Sequence, residues 1–404
     1  MPPKFIGISP FLAEGAGGHF YSVHQSYCDA ARKLGFDVIY LGAATHTSKT
    51  WFAPIIKYKP QNLIDFIDCR AQINLLSKLK RYRESVGSTG DLMFVFEGNL
   101  NLLLIVSLFC IKNNIKCHVN LIRSDLLIKC YSNKYFALDR IFLKFLIKYT
   151  KGQVFTSTLS QTLNKILDSK KIQIDFAIDT FSGINSKHIK TKVSSNYILI
   201  NAPYPADLKD LQIKLNSIRK HKSKYVVSTY VSNLENYKFD PDRVTILNKH
   251  LSDPEYLKLI SQSKHVVMYY VNEFHKYGSG SRIYDCISLK KKICIPLNTE
   301  IAKQIKNVGK YFIFDPRNQS HIQKILNKPS FIGKFKLYNI PSAELAIQNI
   351  IKKNEVRKIN RWEKLKLLSI LKITFVLLIF LSFLGDTINT FKLLLKKIYK
   401  LVKI

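Results

Sequence analysis

HVVMYYVNEFHKYGSGSRIYDCISLKKKICIPL, residues 265–297, decides the fold. His265 to Val271 is apolar and rich in Val and Tyr, which suits a buried strand. Ile293 to Leu297 is a second apolar run, closed by Pro296. Between them stand Glu273 to Tyr277, the loop Gly278-Ser279-Gly280-Ser281, and a stretch of helical character, Arg282 to Lys290. Strand, glycine-rich loop, helix, strand is the βαβ unit of an α/β protein. Such a loop leaves the carboxyl end of its strand, where open α/β sheets bind ligands. Gly278 and Gly280 let backbone approach a ligand closely, and the unpaired N–H groups of a helix start favour an anion.

The same alternation runs outward in both directions. Toward the N-terminus, Lys4 to Ser9 reads as a strand, Phe20 to Leu34 as a helix closed by Gly35, and Asp37 to Leu41 as a second strand. The loop between the first two ends in Gly17-Gly18-His19. It is not G-x-G-x-x-G, and no acidic residue follows the second strand, so a dinucleotide site is weakly supported. Gln61 to Tyr82 reads as helix, Asp91 to Phe96 as strand, and Leu100 to Ile111 as an apolar helix too short to span a bilayer. Ile115 to Ile122 and Gln153 to Thr156 are further strands, Asp139 to Tyr149 is amphipathic, and Ser157 to Leu167 is a helix. This predicts a parallel sheet of about five or six strands.

The pattern breaks over Asp175 to Lys192 and resumes with the strand Tyr197 to Asn201. Leu208 to Ile218 is a helix, Tyr225 to Thr229 and Val244 to Leu247 are strands, and Pro254 to Ser261 is a helix. After the opening stretch come a strand, Tyr311 to Phe314, and a helix, His321 to Leu326. The expected division is 1–178, 179–330, and 331–404 as linker, helix and tail. Two parallel-sheet domains in tandem make a cleft.

Composition narrows the partners. With 63 basic and 28 acidic residues the formal net charge is +35, which favours anionic partners. Compositional bias toward Lys supplies part of that excess. No RRM, zinc or helix-turn-helix signature accompanies the charge, so nucleic acid is not an expected partner. The seven cysteines form no CxxC pair, which argues for a reducing compartment and against structural zinc. Met1 to Phe11 is too short for a signal peptide and is interrupted by three prolines.

The tail, 351–404, is basic. Leu367 to Leu384 is mostly apolar, at the lower edge for a membrane span, and contains Lys372. Phe391 to Ile404 reads as a basic amphipathic helix. Residues 364–404 are thus expected to contact anionic membrane lipid, lying on or re-entering the bilayer, crossing it, or packing on protein.

Candidate site residues come from strand ends. Glu97 follows Asp91 to Phe96 and is a candidate general base or hydroxyl ligand, its alternative a loop carboxylate beside a helix start. Arg123 ends the next strand, as a phosphate ligand or an ion-pair partner; His118, inside that strand, reads as a buried structural residue. His19, after two glycines, is a site candidate or a loop residue. On its helix Asp285 lies away from Ile283 and Ile287 at 100° per residue, so it need not enter the apolar face, and Arg282 shares its side. The alternative for that pair is a surface ion pair.

Three parts of the chain resemble the GT-B glycosyltransferases, within them the retaining family 4-like enzymes. These are the GGH loop with its helix ending in LGFDVIYLG, the run VTILNKHLSDPEYLKLISQSKHVVMYYVN, and the donor-like stretch itself. The resemblance covers about residues 4–326. It implies two Rossmann-like domains facing a cleft, a C-terminal crossover helix, placed at Ala343 to Lys352, that returns to the first domain, and a metal-independent hexosyltransferase with a nucleotide-sugar co-substrate and no other cofactor. It places Glu273 at the first acidic position, near the donor sugar, and Asp285 at the second, near the ribose. Tyr277, Gly278, Ser279, Gly280 and Ser281 would bracket sugar and diphosphate, with Gly17, Gly18 and His19 on the opposite wall and Glu97 beside them. The spacing from Glu273 to Asp285 is wider than the family's. The place where the family carries a basic pair reads Asn201 to Lys209, with Lys209 as its cation, so the diphosphate role passes to Arg282 or is reduced. The expected activity is sugar transfer to a lipid-linked or polysaccharide acceptor at the cytoplasmic membrane face. The alternative is a degenerate scaffold that binds anionic lipid or polymer.

Overall fold

The computed structural model describes residues 2–9, 20–43, 52–56, 79, 90–96, 100–121, 147–148, 150, 154–158, 160–169, 175–176, 197–218, 223–229, 231, 233–249, 251–271, 275, 280, 282–306, 308–336, 342–353, 360–373 and 376. They form two all-parallel sheets. The first contains β1 (Lys4–Ile8), β2 (Asp37–Ala43), β3 (Phe52–Ile56), β4 (Leu92–Val95), β5 (Lys116–Asn120), β6 (Val154–Thr158) and β7 (Asp175–Phe176), in the order 3-2-1-4-5-6-7. The second contains β8 (Tyr197–Asn201), β9 (Lys224–Thr229), β10 (Val244–Asn248), β11 (Val266–Met268), β12 (Ile293–Pro296) and β13 (Tyr311–Phe314), in the order 10-9-8-11-12-13.

The described helices are α1 (Phe20–Lys33), α2 (Leu100–Asn113), α3 (Gln161–Ser169), α4 (Pro205–Asn216), α5 (Asp253–Gln262), α6 (Arg282–Ser288), α7 (Glu300–Ile305), α8 (Gln319–Leu326) and α9 (Ala343–Lys353). A further helix, α10, covers 361–373. The first sheet is wider than expected. β3 and β7 were not legible: β7 has two residues, and β3 carries Pro54, which fits an edge strand. Ser157 and Thr158 belong to β6 rather than to a helix, because they continue the ladder beside Asn120 and Asp175.

Alternation along the strands explains the layers. In β8, Ile198 and Ile200 join the core formed with Leu208, Leu211 and Leu215 of α4 and Ile322 and Ile325 of α8. Leu199 joins the opposite core with Leu257 and Ile260 of α5 and Ile283 and Ile287 of α6. Strand residues point to opposite faces in turn, so one strand feeds both cores. The helix α2 is apolar on all sides and buried, as its short length implied. Gly35, at φ +84°, ends α1 with bonds from its own N–H to Arg32 and from Phe36 N–H to Ala31. The predicted crossover is present: Ala343, Ile347 and Ile350 of α9 pack with Phe5, Tyr27 and Phe94 of the first domain.

Two smaller expectations hold. The described cysteines Cys28, Cys110, Cys117, Cys286 and Cys294 are all buried, and none of them is in a disulfide. Burial pushes the Cys28 thiol up to about 12, so it packs as a small hydrophobe. His118 is buried, bonded through Nε2 to Ser157 Oγ at 2.7 Å and stacked on Phe94.

His265 offers a test of the second core. It is buried, and its Nε2–H donates to the Ile325 carbonyl at 2.8 Å. Burial, against that hydrogen bond, lowers its pKa to about 4. The unfolded chain therefore binds the proton first. Stability is intact above the ordinary histidine range and falls as pH drops from about 6.5 to about 4, by about 3 kcal/mol in all. Urea unfolding at pH 7 and pH 4 should show that loss, and His265→Gln should remove most of its pH dependence. An unchanged slope in the variant would assign the acid sensitivity elsewhere.

Candidate functional site

Strand order reverses between β8 and β11, which makes the crevice at their carboxyl ends the ligand-binding position of this kind of sheet. The two strands end level: Asn201 pairs with Met268, and Tyr269 N–H donates to the Asn201 carbonyl at 2.8 Å. The first sheet reverses between β1 and β4, with Phe96 N–H on the Ile8 carbonyl at 3.0 Å. In sequence those strands lead to Gly17, Gly18, His19 and to Glu97. These four residues lie outside the described residues, as do Arg123, Glu273, Tyr277, Gly278, Ser279 and Ser281.

The remaining predicted residues are placed. Arg282 opens α6 and donates through Nη1 to Asp285 Oδ2 at 3.2 Å. Its guanidinium lies 4.2 Å from the centroid of the Tyr256 ring, a cation–π contact. Tyr256 OH in turn accepts from Asn201 Nδ2 at 2.5 Å, and burial pushes that hydroxyl well up. The pair is not a surface ion pair. The side chains of Arg282 and Asp285 are 12% and 2% exposed. Asp285 enters the buried part of α6 with Ile283 and Ile287, contrary to the expectation from the helical wheel, because all five residues from Ile283 to Ile287 are covered.

Gly280 is needed for packing. A Cβ there would stand 2.4 Å from Cδ1 of Ile301, a buried residue of α7. Its lack of a side chain thus seats Gly280 itself against α7. Lys209 is exposed on α4.

Two further groups were not singled out from the sequence. Asp207, in the first turn of α4, is fully buried. Its carboxylate accepts from Val271 N–H at 2.9 Å, from Tyr204 N–H at 3.3 Å, and pairs with His275 Nε2 at 3.2 Å. His275 stacks on Tyr270, centroids 4.0 Å apart and planes 11° apart, with Tyr204 on another side at 5.2 Å. Neighbouring Tyr269 donates to Asp210 at 2.5 Å, and burial, then that carboxylate, pushes its hydroxyl far up. Glu300, the first residue of α7, is also buried and reaches the other domain. Its carboxylate accepts from Gln161 N–H at 2.9 Å, Thr162 N–H at 3.2 Å and Thr162 Oγ1 at 2.9 Å. The only sequence signal for either was position: Asp207 at a strand-to-helix turn, and Glu300 after the N-cap Thr299.

The arrangement can do two things chemically. It holds an arginine in a fixed plane by an aromatic face and a carboxylate. It also orients an imidazole by a buried carboxylate, the way second partners fix histidine tautomers. Among the described residues no group of three or more His, Cys, Asp or Glu side chains is placed to hold a metal ion.

No family model matches the chain, and no curated protein matches it. Solved structures do. Sucrose-phosphate synthase from Thermosynechococcus elongatus superposes with a TM-score of 0.57 at 11% identity, over 93% of this chain and 99% of that one. Trehalose-6-phosphate synthase OtsA gives 0.56 at 10%, over 91% and 99%. UDP-GlcNAc 2-epimerase from Methanocaldococcus jannaschii gives 0.52 at 12%, over 86% and 99%. The shared architecture is the GT-B fold, two Rossmann-like domains, as the sequence resemblance implied.

Proposed function

We propose that the chain is a glycosyltransferase that moves a hexose-type sugar from a nucleotide sugar to a lipid-linked or polysaccharide acceptor at the cytoplasmic face of a membrane. The observation that carries the reading is the crevice between β8 and β11, with Arg282 held at its edge in a GT-B frame. Structural neighbours include a study of glycosyl transfer with retention by trehalose-6-phosphate synthase, and an epimerase in complex with UDP-GlcNAc and UDP.

Transfer leaves negative charge on a nucleoside diphosphate. A fixed cation aimed at that charge lowers the barrier without reorganising, and closing the cleft would exclude water and favour transfer over hydrolysis. Arg282 is the described side chain suited to the first task, and it needs no metal for it. Asp285 and Tyr256 keep it in place. Glu273 is retained as the group beside the donor sugar, and His19 and Glu97 as the acceptor-side groups. The test is donor hydrolysis and transfer with purified protein across a panel of nucleotide sugars. Turnover of one member is expected; no binding across a broad panel would sink the reading. It would leave the second one, a scaffold that binds anionic polymer or lipid, which the buried Asp207 at the expected diphosphate turn favours.

Membrane contact is supported by the outward side of α10. Trp362 is 82% exposed, and Leu365, Ile373 and Val376 are exposed with it. At 100° per residue Trp362, Leu365 and Ile373 fall within an arc of about 80°, opposite the buried Leu371. Lys366 and Lys372 flank them on the same helix. An apolar stripe with an aromatic and flanking lysines suits the headgroup boundary of an anionic bilayer. Among the described residues no helix is long and apolar enough to cross a membrane. Sedimentation with phosphatidylserine vesicles should fall several-fold in Trp362→Ser/Leu365→Ser; equal sedimentation would remove this part of the proposal.

A further inference from the structure

We propose that His275 is a phosphate ligand for the diphosphate of the nucleotide sugar, and that it takes up one proton when the ligand binds. The inference rests on the donor-site reading above and names a residue and a linkage for it.

Position comes first. His275 sits against both segments that leave the switch point: Tyr204 and Asp207 after β8, and Tyr270 after β11. That is where a diphosphate is expected in a doubly wound sheet. Yet the turn after β8 is poor in groups that attract an anion. Pro205, the first residue of α4, has no N–H, and the Tyr204 N–H is taken by Asp207. Asp207 itself is a buried carboxylate, and Lys209 is exposed on the helix. A phosphate entering here meets an anion.

The imidazole resolves this. Its Nε2–H donates to Asp207 Oδ2 at 3.2 Å, and among the described residues Nδ1 has no hydrogen-bond partner. In the neutral ring Nδ1 carries a lone pair, which a phosphate oxygen would repel. With a proton added, Nδ1–H donates to the phosphate while Nε2–H stays on Asp207. The ring then lies as a cation between two anions, so ligand and proton bind together. The stack on Tyr270 fixes the ring plane. The other titratable side chains on the elements packed there are Asp210, Tyr204 and Tyr269. Asp210 is engaged by the Tyr269 hydroxyl. Glu273 and Lys276 flank His275 in the sequence and lie outside the described residues.

The experiment uses the full chain with UDP-GlcNAc, UDP-glucose and GDP-mannose. Their diphosphates are diesters, which lack the ionisation near pH 6 of a terminal phosphate. Calorimetry at several pH values, in buffers of different ionisation enthalpy, reads affinity and protons taken up. For the wild type, affinity should fall with rising pH, by up to about tenfold per pH unit, the limit for one linked proton. His275→Gln keeps an amide donor for Asp207 but offers no ring nitrogen to the ligand. It should bind about tenfold more weakly at low pH and with little proton uptake. Wild-type binding that is tight and independent of pH would overturn the proposal without needing the variant. So would a variant with unchanged affinity and uptake. If the wild type binds none of the three nor any other member of a broad panel, the donor-site reading fails as well, which is a different result from binding without a linked proton.

Discussion

Glu300→Ala is expected to destabilise the folded chain by about 4 kcal/mol, the cost of removing one side of a buried charged network. The carboxylate is buried at the start of α7 and serves as the N-cap of a helix in the other domain. The first N–H groups of any helix lack partners inside it, and α3 begins at Gln161. Two of those donors, Gln161 N–H and Thr162 N–H, end on Glu300, with the hydroxyls of Thr162 and Ser160 beside them. Lys303, 3.5 Å from the same carboxylate but about half exposed, adds little because water screens it. Alanine takes the Glu300 acceptor from four donors at a domain contact. Glu300→Gln keeps one acceptor oxygen and should cost about half as much. Urea unfolding would show a lower midpoint for both variants, and the alanine variant should separate the transitions of the two domains. A midpoint within experimental error of wild type would mean that this contact does not join them.

The second large effect is at the Arg282–Asp285 pair. Asp285→Ala should cost about 3 kcal/mol, since it leaves a largely buried guanidinium without its carboxylate. It should also weaken nucleotide-sugar binding strongly, because Arg282 loses the carboxylate that orients it over the Tyr256 ring. The two effects can be separated. Replacing a buried ion pair by apolar residues of similar volume is often neutral for stability. Arg282→Met/Asp285→Leu is therefore expected to recover most of the lost stability and none of the binding. A double variant that binds the donor normally would show that the pair serves folding alone.

How much of this was legible differs by kind of feature. The strands β1, β2, β4 and β5, and those of the second sheet, announce themselves as short apolar runs between glycines, prolines and amphipathic helices. The return of α9 to the first domain was expected from the family resemblance rather than from the residues themselves. Within the candidate site, Arg282 and Asp285 were singled out by their place after a glycine loop. His275 stood in the same stretch unremarked, because a histidine among polar loop residues carries no signal until its partner is known. That partner, Asp207, is 68 residues away. Gly280 was legible as a glycine that matters and not as the seat of Ile301.

By itself, then, the sequence determined the alternation of strand and helix, the presence of two parallel-sheet domains and the strand ends where ligands could bind. These rest on hydrophobic periods and turn residues, which act over a few neighbours and can be read in line. The tertiary structure decided which groups meet. It set the strand order that puts β8 beside β11, buried Asp285 on the side a helical wheel leaves open, and carried Glu300 across 139 residues to Gln161. Those outcomes depend on the packing of surfaces distant in the chain, where a buried polar group must find a partner wherever the fold provides one.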